Sequence, residues 1–171
     1  MKKIVIIGAG AMGSAFSVPC EENFHEVFLV GSFLEDKLIE DIKKLENFHP
    51  NLKCQLPKKV KVMKFSEFIN KKIKEIDLLV IGVSSKGIDW IGEEISNFYD
   101  KKTNILLLTK GLTIIDNQFE TLAEKLKKIL KNRNINDPKI SAVGGPCLAN
   151  GLANKINSSV VLANENIEIV K

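Results

Sequence analysis

Residues 8–13 read GAGAMG, and their three glycines restrict the fold of this chain more than any other feature. A short β-branched run, Lys3 to Ile7, precedes them, and a stretch with helical patterning follows. Glycines spaced G-x-G-x-x-G between a buried strand and a helix open a βαβ unit of a dinucleotide-binding fold. Gly8 permits the tight turn, Gly10 lets a pyrophosphate approach the backbone, and Gly13 lets helix and strand pack closely. The unbonded amides of the helix N-terminus then face the phosphates. Ala11 and Met12, inside the motif, belong to the same cofactor-binding set. The pattern alone also occurs in strand–helix turns that bind nothing; its context points to a nucleotide.

The rest of the chain alternates between strand and helix periods. Strands are expected at Glu26 to Val30, Val60 to Met63, Asp77 to Ile81, Ile105 to Leu108, Lys139 to Val143 and Ser158 to Ala163. The helix after Gly13 is expected to bend or end at Pro19. Further helices are expected over Glu35 to Phe48, over Ser66 to Lys74 with Ser66 as cap, over Gly87 to Phe98, and from Phe119 to about Arg133. His49 to Pro57 reads as loop. This alternation predicts an α/β fold: a doubly wound, mostly parallel, Rossmann-like sheet in one domain spanning residues 1–164.

Composition narrows the function. The chain of 171 residues is 44% hydrophobic and 27% charged, ordinary for a globular protein, and carries a net charge of +4. Arg133 is its one arginine, and the lysines are scattered among acids, which argues against a nucleic-acid partner. Cys20, Cys54 and Cys147 lack metal-ligand spacing and read as reduced thiols of a cytoplasmic protein. The apolar start, MKKIVIIGAGAMG, is too short to insert into a membrane.

Other candidates sit where strands end. At the end of the second strand, where an acid would hold the ribose of NAD, the sequence reads Val30-Gly31-Ser32. Glu35 and Asp36 come slightly late, so the choice between NAD and NADP stays open; Ser32 can bond either ribose or 2′-phosphate, and Phe33 joins it in the cofactor set. Gly82, Ser84 and Ser85 follow the fourth strand and either border the cofactor or, for the serines, cap a helix. Lys110 follows the bare aliphatic run of the fifth strand and is either a solvated lysine or a cation facing a cleft. His25 and His49 have no partner at catalytic or metal spacing. Cys147 lacks a nearby activating base and is expected to line the cofactor pocket, and Trp90 to pack on the sheet.

Three stretches in order, GAGAMGSAF at Gly8, TKGL at Thr109 and GGPCLANGLA at Gly144, resemble the N-terminal half of NAD(P)-dependent glycerol-3-phosphate dehydrogenase, archaeal members most. The family has a Lys-Gly-Leu after the fifth strand and then a Gly-Pro-x-x-Ala-x-Glu segment. Lys110-Gly111-Leu112 matches the first, and Gly145, Pro146 and Ala149 match most of the second. The resemblance implies that Lys110 binds and polarises the substrate beside the nicotinamide, and that Gly145, Cys147 and Ala149 border the cofactor. It implies sn-glycerol 3-phosphate and dihydroxyacetone phosphate as substrates, NAD or NADP as cofactor, a role in glycerophospholipid synthesis, and homodimers of the full-length protein.

Two departures stand out. Gly151 replaces the family's glutamate. The family chain is also about twice as long, and its second half, a helical domain, carries the acid/base lysine. Residues 165–171 are expected to open a helix leading to that missing domain, leaving the chain able to bind cofactor but catalytically incomplete. The alternatives are the same domain of a ketopantoate reductase or of a 6-phosphogluconate-type dehydrogenase, and a nucleotide-sensing module without chemistry.

Overall fold

Aliphatic runs buried on both faces become the inner strands of a parallel sheet, because no other arrangement hides both sets of side chains while satisfying the backbone. The computed structural model, which describes residues 1–115 and 117–170, shows that arrangement. The first half holds β1 (Lys3–Ile7), α1 (Ala11–Glu22), β2 (Glu26–Val30), α2 (Asp36–Lys44), the two-residue strands β3 (Phe48–His49) and β4 (Cys54–Gln55), β5 (Lys61–Met63) and α3 (Phe65–Lys71). Then come β6 (Leu78–Ile81), a 3-10 turn at Ser85–Gly87, α4 (Ile88–Ile95), β7 (Asn104–Leu107), β8 (Leu112–Ile115), β9 (Gln118–Thr121), α5 (Leu122–Asn132), β10 (Ile140–Gly144), α6 (Ala149–Ala153) and β11 (Val161–Ala163).

The main sheet runs β11-β10-β7-β6-β1-β2-β5, parallel except for β11 against β10. The strand order reverses between β1 and β6, and ligands bind at such a switch, outside the carboxyl ends of the strands. Period-2 alternation divides the core. Ile4 and Ile6 face α1 and α2 with Ile39 and Ile42, while Val5 and Ile7 face α4 and α5 with Ile91, Ile95, Leu126 and Leu130. Burial of each such side chain contributes about 1.5–3 kcal/mol.

Several expectations change. Pro19 does not end α1, which continues to Glu22. Its carbonyl still accepts from the Asn23 backbone at 3.2 Å and side chain at 2.8 Å, and Val18 and Cys20 keep the helix on the sheet. The second helix is shorter than expected. The third starts one residue before Ser66, because Glu67 accepts the Lys64 N–H at 2.8 Å and so caps it. Phe119 is not on α5. It lies in the β8–β9 hairpin and is 75% exposed. The helix starts instead at a capping box, with Glu124 N–H donating to Thr121 Oγ1 at 3.2 Å and Thr121 N–H to Glu124 Oε2 at 2.7 Å. The last strand is confined to Val161–Ala163. In the tail, Ile167–Ile169 makes a single 3-10 turn rather than an opening helix, and Lys171 lies outside the described residues.

The start of α1 is set by backbone on backbone. A β-carbon built on Gly13 would lie 2.0 Å from the Gly8 carbonyl oxygen, and one on Gly8, at φ +110°, 2.5 Å from the Gly82 carbonyl carbon. Gly10 differs: its β-carbon would meet only Glu35 Oε1, at 3.6 Å. Gly13→Ala is therefore expected to destabilise the fold by about 1–3 kcal/mol or more, the range for overpacking. Gly10→Ala should change stability by less than about 1 kcal/mol. Denaturant unfolding of the two variants checks the contrast.

Candidate functional site

The parallel strands deliver their carboxyl ends to one edge, and the ladder continues a residue past each strand. Gly8 N–H donates to Val30 C=O at 2.8 Å, Gly82 N–H to Ile7 C=O at 2.8 Å, and Leu108 N–H to Ile81 C=O at 2.9 Å. Beyond that line the chain turns. Every residue singled out for the cofactor or substrate, namely Gly8, Gly10, Ala11, Met12, Gly13, Ser32, Phe33, Ser84, Lys110, Gly145, Cys147 and Ala149, lies on the loops and helix starts leaving β1, β2, β6, β7 and β10.

The glycine turn comes first. The first full-length helical bond of α1 runs from Ser14 N–H to Gly10 C=O at 3.0 Å, so the amides of Ala11, Met12 and Gly13 precede the helical ladder. Together with the helix dipole they favour an anion. Gly10 leaves open space over them. The turn is held through Ala9, a residue sequence reasoning did not single out. Its N–H donates to Glu35 Oε2 at 3.0 Å, and its carbonyl accepts from Ser14 Oγ at 2.9 Å and lies 2.9 Å from His49 Nε2.

Glu35 corrects the reading of the second strand. A turn closed by Glu35 N–H to Ser32 C=O at 3.0 Å folds the chain back, and Glu35 Oε2 accepts the Ser32 N–H at 2.7 Å as well as that of Ala9. A carboxylate therefore does stand at the end of β2, beside the glycine turn. The sequence signal was available as an acid roughly 20 residues beyond Gly13; the turn that returns it was not legible. His49 is fully buried. Its Nδ1 accepts the Leu52 N–H at 3.0 Å, which makes Nε2 the protonated nitrogen and Ala9 C=O its acceptor. No sequence spacing announces this contact, since the partners are far apart in the chain.

The remaining residues spread along the edge. Ser32 is buried, whereas Phe33 is 56% exposed, its ring 5.0 Å from that of Trp90, which packs 4.9 Å from Phe65. Trp90 thus belongs to an aromatic cluster at the edge rather than to packing on the sheet alone. Ser84 occupies the cap position of its 3-10 turn without a side-chain capping bond, so the capping alternative finds no support there. Gly82 serves the close approach of Gly8 and Gly13 instead of bordering open space.

At the other end of the edge, Thr109 Oγ1 donates to Val83 C=O at 2.5 Å, and Lys110 Nζ donates to Gly145 C=O at 2.6 Å. Gly145 has φ +102°, a conformation that glycine adopts without strain, and Cys147, mostly buried, donates its N–H back to the Gly145 carbonyl at 3.0 Å. Lys110, otherwise exposed, stands at the rim of a cleft of about 710 Å³ lined also by Thr109, Gly111, Leu122, Gly144 and Asn164. The three cysteines are free, and burial pushes the Cys20 thiol up to about 12. Gly151 on α6 has room for a side chain, its nearest neighbour being Ile156 Cβ at 3.9 Å from a built β-carbon. Among the described residues no cluster of His, Cys, Asp and Glu could hold a metal ion, and no helix is long and apolar enough to cross a membrane.

Comparison with known proteins agrees with this geometry. A family model described as "NAD-dependent glycerol-3-phosphate dehydrogenase N-terminus" matches residues 3–170. The NADP(+)-dependent glycerol-3-phosphate dehydrogenase of Archaeoglobus fulgidus is 31% identical over 164 residues, covering 94% of this chain and 46% of the relative. The glycerol-3-phosphate dehydrogenase [NAD(P)+] of Mesoplasma florum is 26% identical, covering 99% of this chain and 49% of its own. The crystal structure of glycerol-3-phosphate dehydrogenase from Coxiella burnetii superposes with a TM-score of 0.76 at 20% identity, over 99% of this chain and 48% of that one, and shows the shared fold. The chain spans about half the length of the relatives it matches. It belongs to the NAD-dependent glycerol-3-phosphate dehydrogenase family, with the N-terminal, Rossmann-type region of that family as its matched part.

Proposed function

We propose that this chain is the NAD(P)-binding half of an enzyme that interconverts sn-glycerol 3-phosphate and dihydroxyacetone phosphate. The observation that carries the reading is the pairing, on one sheet edge, of an open helix N-terminus at Gly10–Gly13 with a lysine ammonium held at the mouth of a cleft. Gly8, Gly10, Ala11, Met12 and Gly13 would hold the pyrophosphate, Ser32, Phe33 and Ser84 the nucleoside side, and Gly145, Cys147 and Ala149 the far end. The space above Gly10, which a β-carbon would enter, fits such a group. When bound, the nicotinamide supplies or accepts the hydride.

This chain's own contribution is electrostatic. Reduction of the ketone places growing negative charge on its oxygen, and the substrate carries a phosphate dianion. A fixed ammonium stabilises both without reorganising during the reaction. The Gly145 carbonyl fixes Lys110 Nζ, and Gly111, at φ +136°, turns the chain sharply just after it. A nucleotide sensor would have no use for that cation. The Archaeoglobus fulgidus relative is NADP(+)-dependent and the Mesoplasma florum relative is an NAD(P)+ enzyme, in keeping with a dinucleotide of either kind. The β8–β9 hairpin presents Leu112, Ile114 and Phe119 to solvent on one face, apolar surface of the kind that another protein element covers. In the same reading the protein works in the cytoplasm, its full-length form is a homodimer, and its product feeds glycerophospholipid synthesis.

Two outcomes check this. Gly10→Val keeps an extended backbone that valine accepts but fills the space over the helix amides, so NADH affinity, followed by nicotinamide fluorescence, should fall by about tenfold or more while the unfolding curve stays close to the parent's. Unchanged binding would remove the glycine turn from the site. Lys110→Met should leave NADH affinity within about threefold, yet abolish the response of NADH-loaded protein to added glycerol 3-phosphate, because it removes the cation and keeps the aliphatic stem. A response equal to the parent's would mean that Lys110 does not meet the substrate.

A further inference from the structure

We infer that His49 is a positioning residue for the cofactor: together with Ser14 it locks the Ala9–Gly10 peptide in the orientation that offers the Gly10 N–H to the diphosphate. The inference rests on the dinucleotide reading above and adds to it the residues that keep the glycine turn ready to bind. The Ala9 carbonyl accepts from Ser14 Oγ at 2.9 Å and from His49 Nε2 at 2.9 Å, so both lone pairs of that oxygen are engaged. Carbonyl and N–H point opposite ways in a trans peptide. Holding the Ala9 oxygen against Ser14 and His49 therefore turns the Gly10 N–H away from both, and it has no hydrogen-bond partner among the described residues. It joins the unbonded amides of Ala11, Met12 and Gly13 at the start of α1.

Glycine at position 10 is the reason this peptide needs holding. Flipping a peptide swings φ of the following residue by half a turn, and Gly10, at φ −64°, has no side chain to forbid the positive side. The flipped peptide would aim the negative end of its carbonyl dipole at an anion. A side chain at position 10 would hinder the flip but enter the open space beside the helix amides, so the lock has to come from elsewhere. Ser14 supplies one donor from within α1. His49 supplies the other from the short β3 strand, 40 positions along the chain, and is itself fully buried. Its ring is anchored at the other nitrogen: Nδ1 accepts the Leu52 N–H at 3.0 Å, which leaves the proton on Nε2. The loop behind it is braced by Asn47 Nδ2, which donates to the Pro57 and Val60 carbonyls at 3.2 and 3.1 Å. The preceding peptide is held separately, by Glu35 Oε2 on the Ala9 N–H at 3.0 Å, so loss of His49 loosens the Ala9–Gly10 peptide in particular.

The test compares the parent with His49→Leu, His49→Gln and Ser14→Ala, with thermal unfolding to establish that each variant is folded. Leucine keeps apolar bulk and removes the donor, whereas glutamine places an amide N–H close to where Nε2 stands. NADH affinity, read by nicotinamide fluorescence, should fall by about tenfold or more in His49→Leu and stay within about threefold of the parent in His49→Gln. Ser14→Ala removes the other donor from the same oxygen and should weaken NADH by about threefold or more. The Gly10 amide resonance, followed by NMR as inorganic pyrophosphate is added, reports the peptide directly. It should move in the parent and in His49→Gln, and lose about half or more of that movement in His49→Leu and Ser14→Ala, while the Gly13 amide still responds. A folded His49→Leu with the parent's NADH affinity overturns the inference. So does weakened binding with an unaltered Gly10 response, which is what a purely structural role for His49 produces. Should His49→Leu fail to fold, Ser14→Ala decides, and the parent's affinity and Gly10 response in that variant overturn the inference. A folded parent that binds neither NADH nor pyrophosphate at millimolar concentration fails the dinucleotide reading itself, whereas NADH binding indifferent to both His49 and Ser14 fails this inference alone.

Discussion

Helix α1 can reach the sheet only because positions 8, 13 and 82 carry no β-carbon. With the Gly8 carbonyl oxygen 2.0 Å from where a side chain on Gly13 would begin, any other residue would push the helix off β1. That approach brings the helix N-terminus to the carboxyl ends of β1 and β6 at the point where the strand order reverses. The unbonded amides at the start of α1, which favour an anion, are presented there by packing backbone against backbone.

The turn itself is rigid for a second reason. Both peptide units that meet at Ala9 are gripped, its N–H by Glu35 and its carbonyl by Ser14 Oγ and the buried His49. Glu35 opens α2 and His49 sits in the short β3 strand, so the segment after β2 is tied back to the loop it must flank. Each bond between buried partners contributes on the order of 1 kcal/mol net, and leaving one unmade costs more. The larger effect is preorganisation, since the turn needs no ordering when a ligand arrives.

Charge is distributed unevenly along the edge. A carboxylate stands at the β2 end and an ammonium at the β7 end, with neutral helix amides between them. On the proposed reading, a dinucleotide lying across this edge would meet donors at its diphosphate, and the substrate carbonyl would meet the cation. Scattered surface lysines such as Lys43, Lys125 and Lys127, paired with acids at close range, contribute little to this pattern.

Much of this was legible without coordinates. The period-2 and period-3.6 patterns specify parallel strands and covering helices because burial on one or two faces leaves no other arrangement of apolar side chains. GAGAMG specifies the helix start because only glycine tolerates those contacts, and the TKGL and GGPCLA motifs place Lys110 and Gly145 on strand ends. What the sequence did not show are contacts made by folding distant or turned segments onto one another. Glu35 counted too far from the strand until a four-residue turn returned it, and His49 looked partnerless because its acceptor is a backbone carbonyl, which has no sequence signature. Phe119 looked helical because an apolar residue one turn ahead of Leu122 fits the helix period, whereas the Thr121–Glu124 capping box starts α5 after it and leaves Phe119 in an exposed hairpin. Periodicity reports which residues are hidden; which backbone groups meet across the fold is decided only when the sheet forms and brings its strand ends to a common edge.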